Sequence, residues 1–223
     1  MNFFAVYQFI VPSLLAPLSY WLWLHRYGGD HQMVFLALSL PVVFAYVIPG
    51  IGTNWLRLWE FNTRLRLGRF RPHHGLVFGT ATSLFALVTL SFPGQWSIAG
   101  VLRDGFVLGS VLAFWNWLYD SFAIKSGFIK VYTRLQSEGA SAEEIATDYA
   151  PILFGTFGFC YGISIRVLEM VLSDPAQQWM IWPVLAACHA ACLASPVLIY
   201  ITVSLLRTGE TGLRSYERMG HEV

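Results

Sequence analysis

The chain has 223 residues, 56% hydrophobic and only 12% charged, with a net charge of +1 and a mean hydropathy of +0.54. Soluble domains carry about 25% charged residues, so half the usual charge is missing. A net charge of +1 also gives no global bias toward nucleic acid or an acidic partner.

Apolar runs of about 20 residues, the length that crosses a bilayer, alternate with short polar stretches and consume the whole chain. This predicts an all-α, polytopic membrane bundle forming one domain, residues 1–223, with six transmembrane helices over 3–24, 33–55, 75–93, 104–124, 150–172 and 179–206. The first run, Phe3 to Leu24, lacks a preceding basic stretch and a small-residue cleavage site, so it reads as a retained span and not a signal peptide. His25-Arg26 through Asp30-His31 separates it from the second. That span carries Pro41, Pro49, Gly50, Gly52 and Asn54, which make its far half a poor continuous helix. Broken helices at membrane depth are tolerated where they line a cavity.

Beyond it, Trp55, Leu58, Trp59 and Leu65 recur at helical spacing, and Glu60 precedes Arg64 by four residues. A helix lying along the membrane surface is therefore expected over Trp55 to Leu67. Pro93-Gly94-Gln95 turns the chain into the fourth span. Lys125 to Asp148 is the longest polar connection, and in it Ser141-Ala142-Glu143-Glu144 fits a capping box before a short helix toward Asp148. Ser173-Asp174-Pro175 leads into the last span. The three cysteines, Cys160, Cys188 and Cys192, all lie in apolar runs, and an odd number does not suggest a disulfide framework.

Orientation follows from the basic residues. Arg57, Arg64, Arg66, Arg69 and Arg71 fall in one connection, Lys125, Lys130 and Arg134 in another, and Arg207, Arg214 and Arg218 in the tail, eleven on one side. Only Arg26 and Arg103 lie on the other side, with Arg166 inside a span. The positive-inside rule places both termini in the cytoplasm, and the chain is expected in the plasma (inner) membrane. Trp96, Trp179 and Trp182 then sit at the far interface, with Trp55 and Trp59 at the cytoplasmic one.

Ionisable groups within spans are the candidates for function, because hydrocarbon makes them costly. Asn116 and Asp120 are four apart on one helical face, crowded by Trp115, Trp117 and Tyr119. They read as a proton donor or cation-stabilising carboxylate beneath an aromatic cavity, against a plain packing role with Asp120 meeting water or Lys125. Arg166 and Glu169, within reach of Arg103-Asp104, make either a headgroup-binding cluster or a clasp between helices, and the clasp is favoured. His189, in the middle of the last span, is suited to acid–base work. Cys188 and Cys192 flank it, but without a second histidine or a carboxylate at ligand spacing no metal is expected. Glu60, Asn62 and His73-His74 lie near the cytoplasmic interface.

The Trp59-Glu60-Phe61 patch resembles one that small integral-membrane terpene cyclases place on an early span, together with a second carboxylate on another span. The resemblance implies Asp120 as the second acid, on a middle span instead of a late one. It covers three residues and does not place the chain in that family.

Together these features predict a membrane-embedded enzyme acting on an apolar isoprenoid or lipid substrate by acid/base chemistry. Asp120, Glu60 and His189 are its catalytic candidates, and Asn116, Trp117, Tyr119, Arg166 and Glu169 its substrate-binding ones. Aromatic surroundings shelter cationic intermediates by cation–π contact and favour a neutral carboxylic acid. Zincin, phosphatase, rhomboid-like and desaturase patterns are absent from the sequence, and no cofactor is expected. The expected partners are the lipid bilayer, an apolar small molecule and, as an open option, a second copy of the chain; nucleic acid is not among them. The alternatives are a small transporter built as three plus three spans, or an accessory subunit without catalysis.

Overall fold

Asp30 ends the first polar break by capping the helix that follows, its carboxylate accepting from the Met33 amide at 3.0 Å. Similar local signals set the other elements in a computed structural model that describes residues 3–92 and 97–217. The Pro93-Gly94-Gln95 turn, Trp96 and Arg218 lie outside the described residues. In order, the elements are α1 (Phe3–Arg26), α2 (His31–Gly50, prolonged by a π-helical turn Ile51–Trp55), β1 (Trp59–Phe61), α3 (His74–Thr89), α4 (Ile98–Lys125), β2 (Ile129–Val131), α5 (Arg134–Ser137), α6 (Ala142–Ser173) and α7 (Ile181–Thr208).

The segments His31–Trp55, Ile98–Lys125, Ala142–Ser173 and Gln178–Thr208 are long and apolar enough to cross a membrane. Helix α3 is apolar but only 16 residues long, and α1 has 24 residues with Pro12 and Pro17 inside it. Two helices outrun the expected spans. Ser97 caps α4 at Ile98, its hydroxyl accepting from the Gly100 amide at 3.0 Å. The Ser141–Glu144 capping box opens a single 32-residue helix, not a separate short one, because α6 runs unbroken past Asp148 to Ser173.

The surface helix expected over Trp55–Leu67 does not form. Arg57, at φ 54°, reverses the chain after the π turn, and Trp59–Phe61 pairs antiparallel with Ile129–Val131. Aromatic residues suit a strand, and a partner strand distant in sequence overrides a helical spacing of only a few residues. Strand alternation then turns Trp59 and Phe61 to one face and Glu60 to the other. The register sets Glu60 opposite Lys130.

Helix α2 touches α1, α3, α6 and α7, which makes it the centre of the bundle. Its Leu36, Leu40 and Phe44 are fully buried, Phe44 stacks on Phe157 with ring centroids 3.9 Å apart, and the Tyr161 hydroxyl donates to the Ala37 carbonyl at 3.0 Å. Helix α4 packs along α6 through glycines. A Cβ on Gly158 would stand 2.8 Å from the Gly109 Cα and 2.9 Å from the Leu108 carbonyl, so only hydrogen fits at that crossing.

The two ends of the bundle differ. At one, the sheet covers a cluster of Phe4, Phe61, Phe70, Phe128, Ile129 and Ile145. The C-terminal segment is tied across it by Tyr216 N to Tyr132 O at 2.8 Å and by Arg69 to Glu217 at 2.6 Å. At the opposite end, Arg166 bonds both Asp104 (3.4 Å) and Glu169, Tyr27 donates to Glu169 at 2.8 Å, and Ser91 donates to Asp104 at 2.8 Å. Asp104, Arg166 and Glu169 are buried, so this is a clasp joining α1, α4, α6 and the chain just beyond α3.

Candidate functional site

Helix α4 brings Asn116 and Asp120 to the sheet end, one turn apart, where they line a cavity of about 1080 Å³. Its walls are aromatic: Phe44, Phe61, Phe78, Phe85, Trp115 and Phe154. Pro49, Ile51 and Gly52 contribute as well, so the broken end of α2 does line a cavity. Gly52 lies directly against the Trp59 ring, where any side chain would collide. Val88 on α3 and Trp115 on α4 border the cavity and are exposed, so its apolar wall continues to the flank of the bundle between these helices.

Asp120 is buried, and its Oδ2 accepts from the Tyr149 hydroxyl at 2.7 Å. Lys125, the alternative partner, turns instead to Glu143 at 3.4 Å. Among the described residues Asp120 enters no ion pair. Tyr149 comes from the start of α6 and faces the same cavity. Asn116 turns its amide N–H back to the Leu112 carbonyl at 2.8 Å. Tyr119 also lines the cavity, and its hydroxyl is buried without a hydrogen-bond partner among the described residues.

The other sequence candidates lie elsewhere. Trp117 points off the cavity, and its indole N–H donates to Thr147 at 2.9 Å. Glu60 sits on the far face of β1, 3.5 Å from both Lys130 and Arg66, with its side chain 15% exposed. Beside it, burial and then the Glu60 carboxylate push the Tyr132 hydroxyl up from its ordinary range. His189 packs between α7 and α2, with Nε2 3.4 Å from the Ser39 hydroxyl. Arg166 and Glu169 are held in the clasp at the opposite end. Of the acid–base candidates, only Asp120 reaches the cavity. Glu60→Gln is accordingly expected to shift stability by no more than about 1 kcal/mol, the usual worth of such pairs, and to leave any cavity ligand bound. Thermal melting and analysis of retained ligand would check both.

Sequence reasoning missed Arg71, counting it among the basic residues that face water. It is 1% exposed and lines the cavity. Its Nε and Nη2 donate to His74 Nδ1 at 3.1 and 2.9 Å, and its guanidinium lies 4.5 Å from the Phe61 ring centroid and 5.4 Å from that of Phe128. Nη1 has no hydrogen-bond partner among the described residues, and no carboxylate pairs with the group. Two cation–π contacts contribute about 0.5–2 kcal/mol each, whereas burying an unpaired ion costs several kcal/mol. The balance leaves a cation in need of a counter-charge. The same charge, after burial, holds the neighbouring His73 below the ordinary histidine range. The sequence signal was slight: an arginine between Phe70 and Pro72, immediately before two histidines at the start of an apolar helix.

The buried cysteines assemble no metal site. Cys192 lies 3.8 Å from the Ser164 hydroxyl, and among the described residues no three His, Cys, Asp or Glu side chains converge as ligands. Comparison with protein families, with curated proteins and with solved structures returns no match.

Proposed function

We propose that the protein is a membrane-embedded enzyme acting on an apolar lipid or isoprenoid substrate, with Asp120 and Tyr149 as its proton-transferring pair. The observation that carries this reading is the Asp120 carboxyl in the wall of an aromatic cavity of about 1080 Å³, held by a hydroxyl and in no ion pair among the described residues. A packing residue would spend both oxygens on neighbours. Here Tyr149 engages Oδ2 and orients the group, leaving the other oxygen to exchange a proton with a bound molecule. The aromatic rings around it stabilise positive charge developing on that molecule. Volume also fits, since ligand pockets run to about 1,000 Å³ for drug-sized molecules.

In this reading α1 and α3 also cross the bilayer, giving six spans, and the Lys/Arg excess puts the sheet end and both termini in the cytoplasm. The cavity then lies in the cytoplasmic half of the membrane and opens sideways between α3 and α4.

The test is mass spectrometry of small molecules co-purified in mild detergent with wild type and with Asp120→Asn. A discrete lipid or isoprenoid is expected in both, accompanied by its product only in the wild type. Conversion of that compound is expected to fall by about 10²–10⁴-fold in the variant, the usual contribution of a general acid or base. Bulk phospholipid alone in both samples would overturn the enzyme reading.

A further inference from the structure

We infer that Arg71 and the groups around it form an oxyanion anchor, so that the cavity takes an amphiphile with a phosphate or carboxylate head and an apolar chain. This rests on the proposed reading only in treating the cavity as a ligand site; it does not depend on proton transfer by Asp120.

Two unsatisfied donors meet at one place. Arg71 Nη1 and the Tyr119 hydroxyl are both buried and both lack a hydrogen-bond partner among the described residues. Arg71 stands beside the Tyr119 hydroxyl, acting on it by charge and as a neighbouring donor that falls outside good hydrogen-bond geometry, so the Tyr119 O–H and Nη1 keep donor capacity to spare. Arg71 also acts on Tyr7 by charge, and the two tyrosine rings lie 5.8 Å apart at their centroids. His74 Nδ1 accepts twice from Arg71, which leaves the proton of the neutral imidazole on Nε2 and makes His74 the support of the guanidinium. Asp120 feels the charge of Arg71 but forms no ion pair with it among the described residues. Buried donors in native proteins are almost always satisfied, so a cluster of unsatisfied ones inside an otherwise apolar cavity marks where a ligand supplies the acceptor. A guanidinium selects an oxyanion among acceptors, because charge and fork geometry both match. His74 holds that guanidinium from behind through Nε and Nη2, which fixes the direction in which Nη1 points.

The aromatic wall beyond the anchor decides the rest of the ligand. Phe78, Phe85 and Trp115 lead from it toward exposed Val88, a path that suits a chain and not a second polar group. Asp120 stands on the helical turn next to Tyr119, so the anchored head lies beside the proton-transferring group.

The experiment compares decyl phosphate, decanoate and decanol, equal in chain length, binding to the full chain in zwitterionic nanodiscs, read by tryptophan fluorescence. Wild type is expected to bind at least one anionic form about 10-fold or more tightly than the alcohol, the worth of one charge-assisted hydrogen bond. Preference for decyl phosphate identifies a phosphoryl head, and preference for decanoate a carboxylate. Arg71→Gln is expected to erase the preference, Arg71→Lys to keep part of it, and Asp120→Asn to keep it. Equal binding of all three molecules by wild type overturns the inference whatever the variants do, as does a preference that survives Arg71→Gln. Should Arg71→Gln fail to fold, Tyr119→Phe takes its place and must weaken anion binding without weakening decanol binding. Head preference without Asp120-dependent conversion would retain the anchor and discard the enzyme, while the converse would discard only the anchor.

Discussion

Arg166→Met is expected to destabilise the protein by about 3–5 kcal/mol, the penalty for removing one partner from a buried ionic network. Arg166 is the hub of the clasp. It bonds Asp104 and Glu169 and also donates to the Ser91 and Phe92 carbonyls at 3.2 and 3.3 Å. Without it, the cations left to the two buried carboxylates among the described residues are Arg26, 3.8 Å from Glu169, and the largely exposed Arg103, 3.1 Å from Asp104, beside the hydroxyls of Tyr27 and Ser91. At roughly 2–4 °C of melting temperature per kcal/mol for a chain of this size, the shift is expected to be about 6–20 °C. Methionine fills similar volume, so the loss reads out charge and not a cavity. A melting point within 2 °C of wild type, measured in detergent by scanning fluorimetry, would show that the clasp does not hold the helices together. Ligand binding in any folded fraction is expected to be unchanged, because the clasp sits at the opposite end from the cavity.

Gly158→Ala is expected to cost about 1–3 kcal/mol or more, the usual range for overpacking, while Gly155→Ala, on the same helix, is neutral or slightly stabilising. Both changes remove a helix-interior glycine, which by itself gains about 0.5–1 kcal/mol. The surroundings reverse the sign at one of them. At Gly158 the new methyl meets backbone, 2.8 Å from the Gly109 Cα, and backbone cannot rotate aside. At Gly155 it finds the Ala113 methyl at 3.4 Å, an ordinary contact. Helices α4 and α6 must separate to admit the first methyl, and the Tyr149–Asp120 hydrogen bond spans this same pair. On the proposed enzyme reading, Gly158→Ala is therefore expected to reduce substrate conversion in the fraction that stays folded, and Gly155→Ala to leave it intact. Equal melting temperatures for the two variants would refute this account of the seam.

What could be read from the residues alone followed from how far each signal reached along the chain. The apolar runs marked the long helices, and the Ser141–Glu144 box marked the start of α6, because both signals are local. Asn116 and Asp120 were placed on one helical face by spacing alone. Glu60 was expected on a surface helix and lies on a strand, for the opposite reason. Its position depends on pairing with Lys130, seventy residues away, and no periodicity within Trp55–Leu67 reports that partner. Arg71 was hidden by its type: an arginine near a helix start normally meets water, and only the packing of Phe61, Phe128 and His74 around it removes that option. Tyr149 fell just outside the predicted span because the charged first turns of α6 resemble a loop. Its use became visible only when α4 and α6 were brought side by side.

On the proposed reading, the exposed wall of Val88 and Trp115 also bears on how kinetics on this protein would be scaled. A molecule arriving by that route comes from the bilayer, so its effective concentration is a mole fraction among lipids and not an amount per volume of water. Adding inert lipid or detergent at constant total substrate would dilute it in two dimensions and raise the apparent KM in proportion, leaving kcat unchanged. Rates plotted against bulk molarity would then scatter between preparations, and those plotted against mole per cent would fall on one curve.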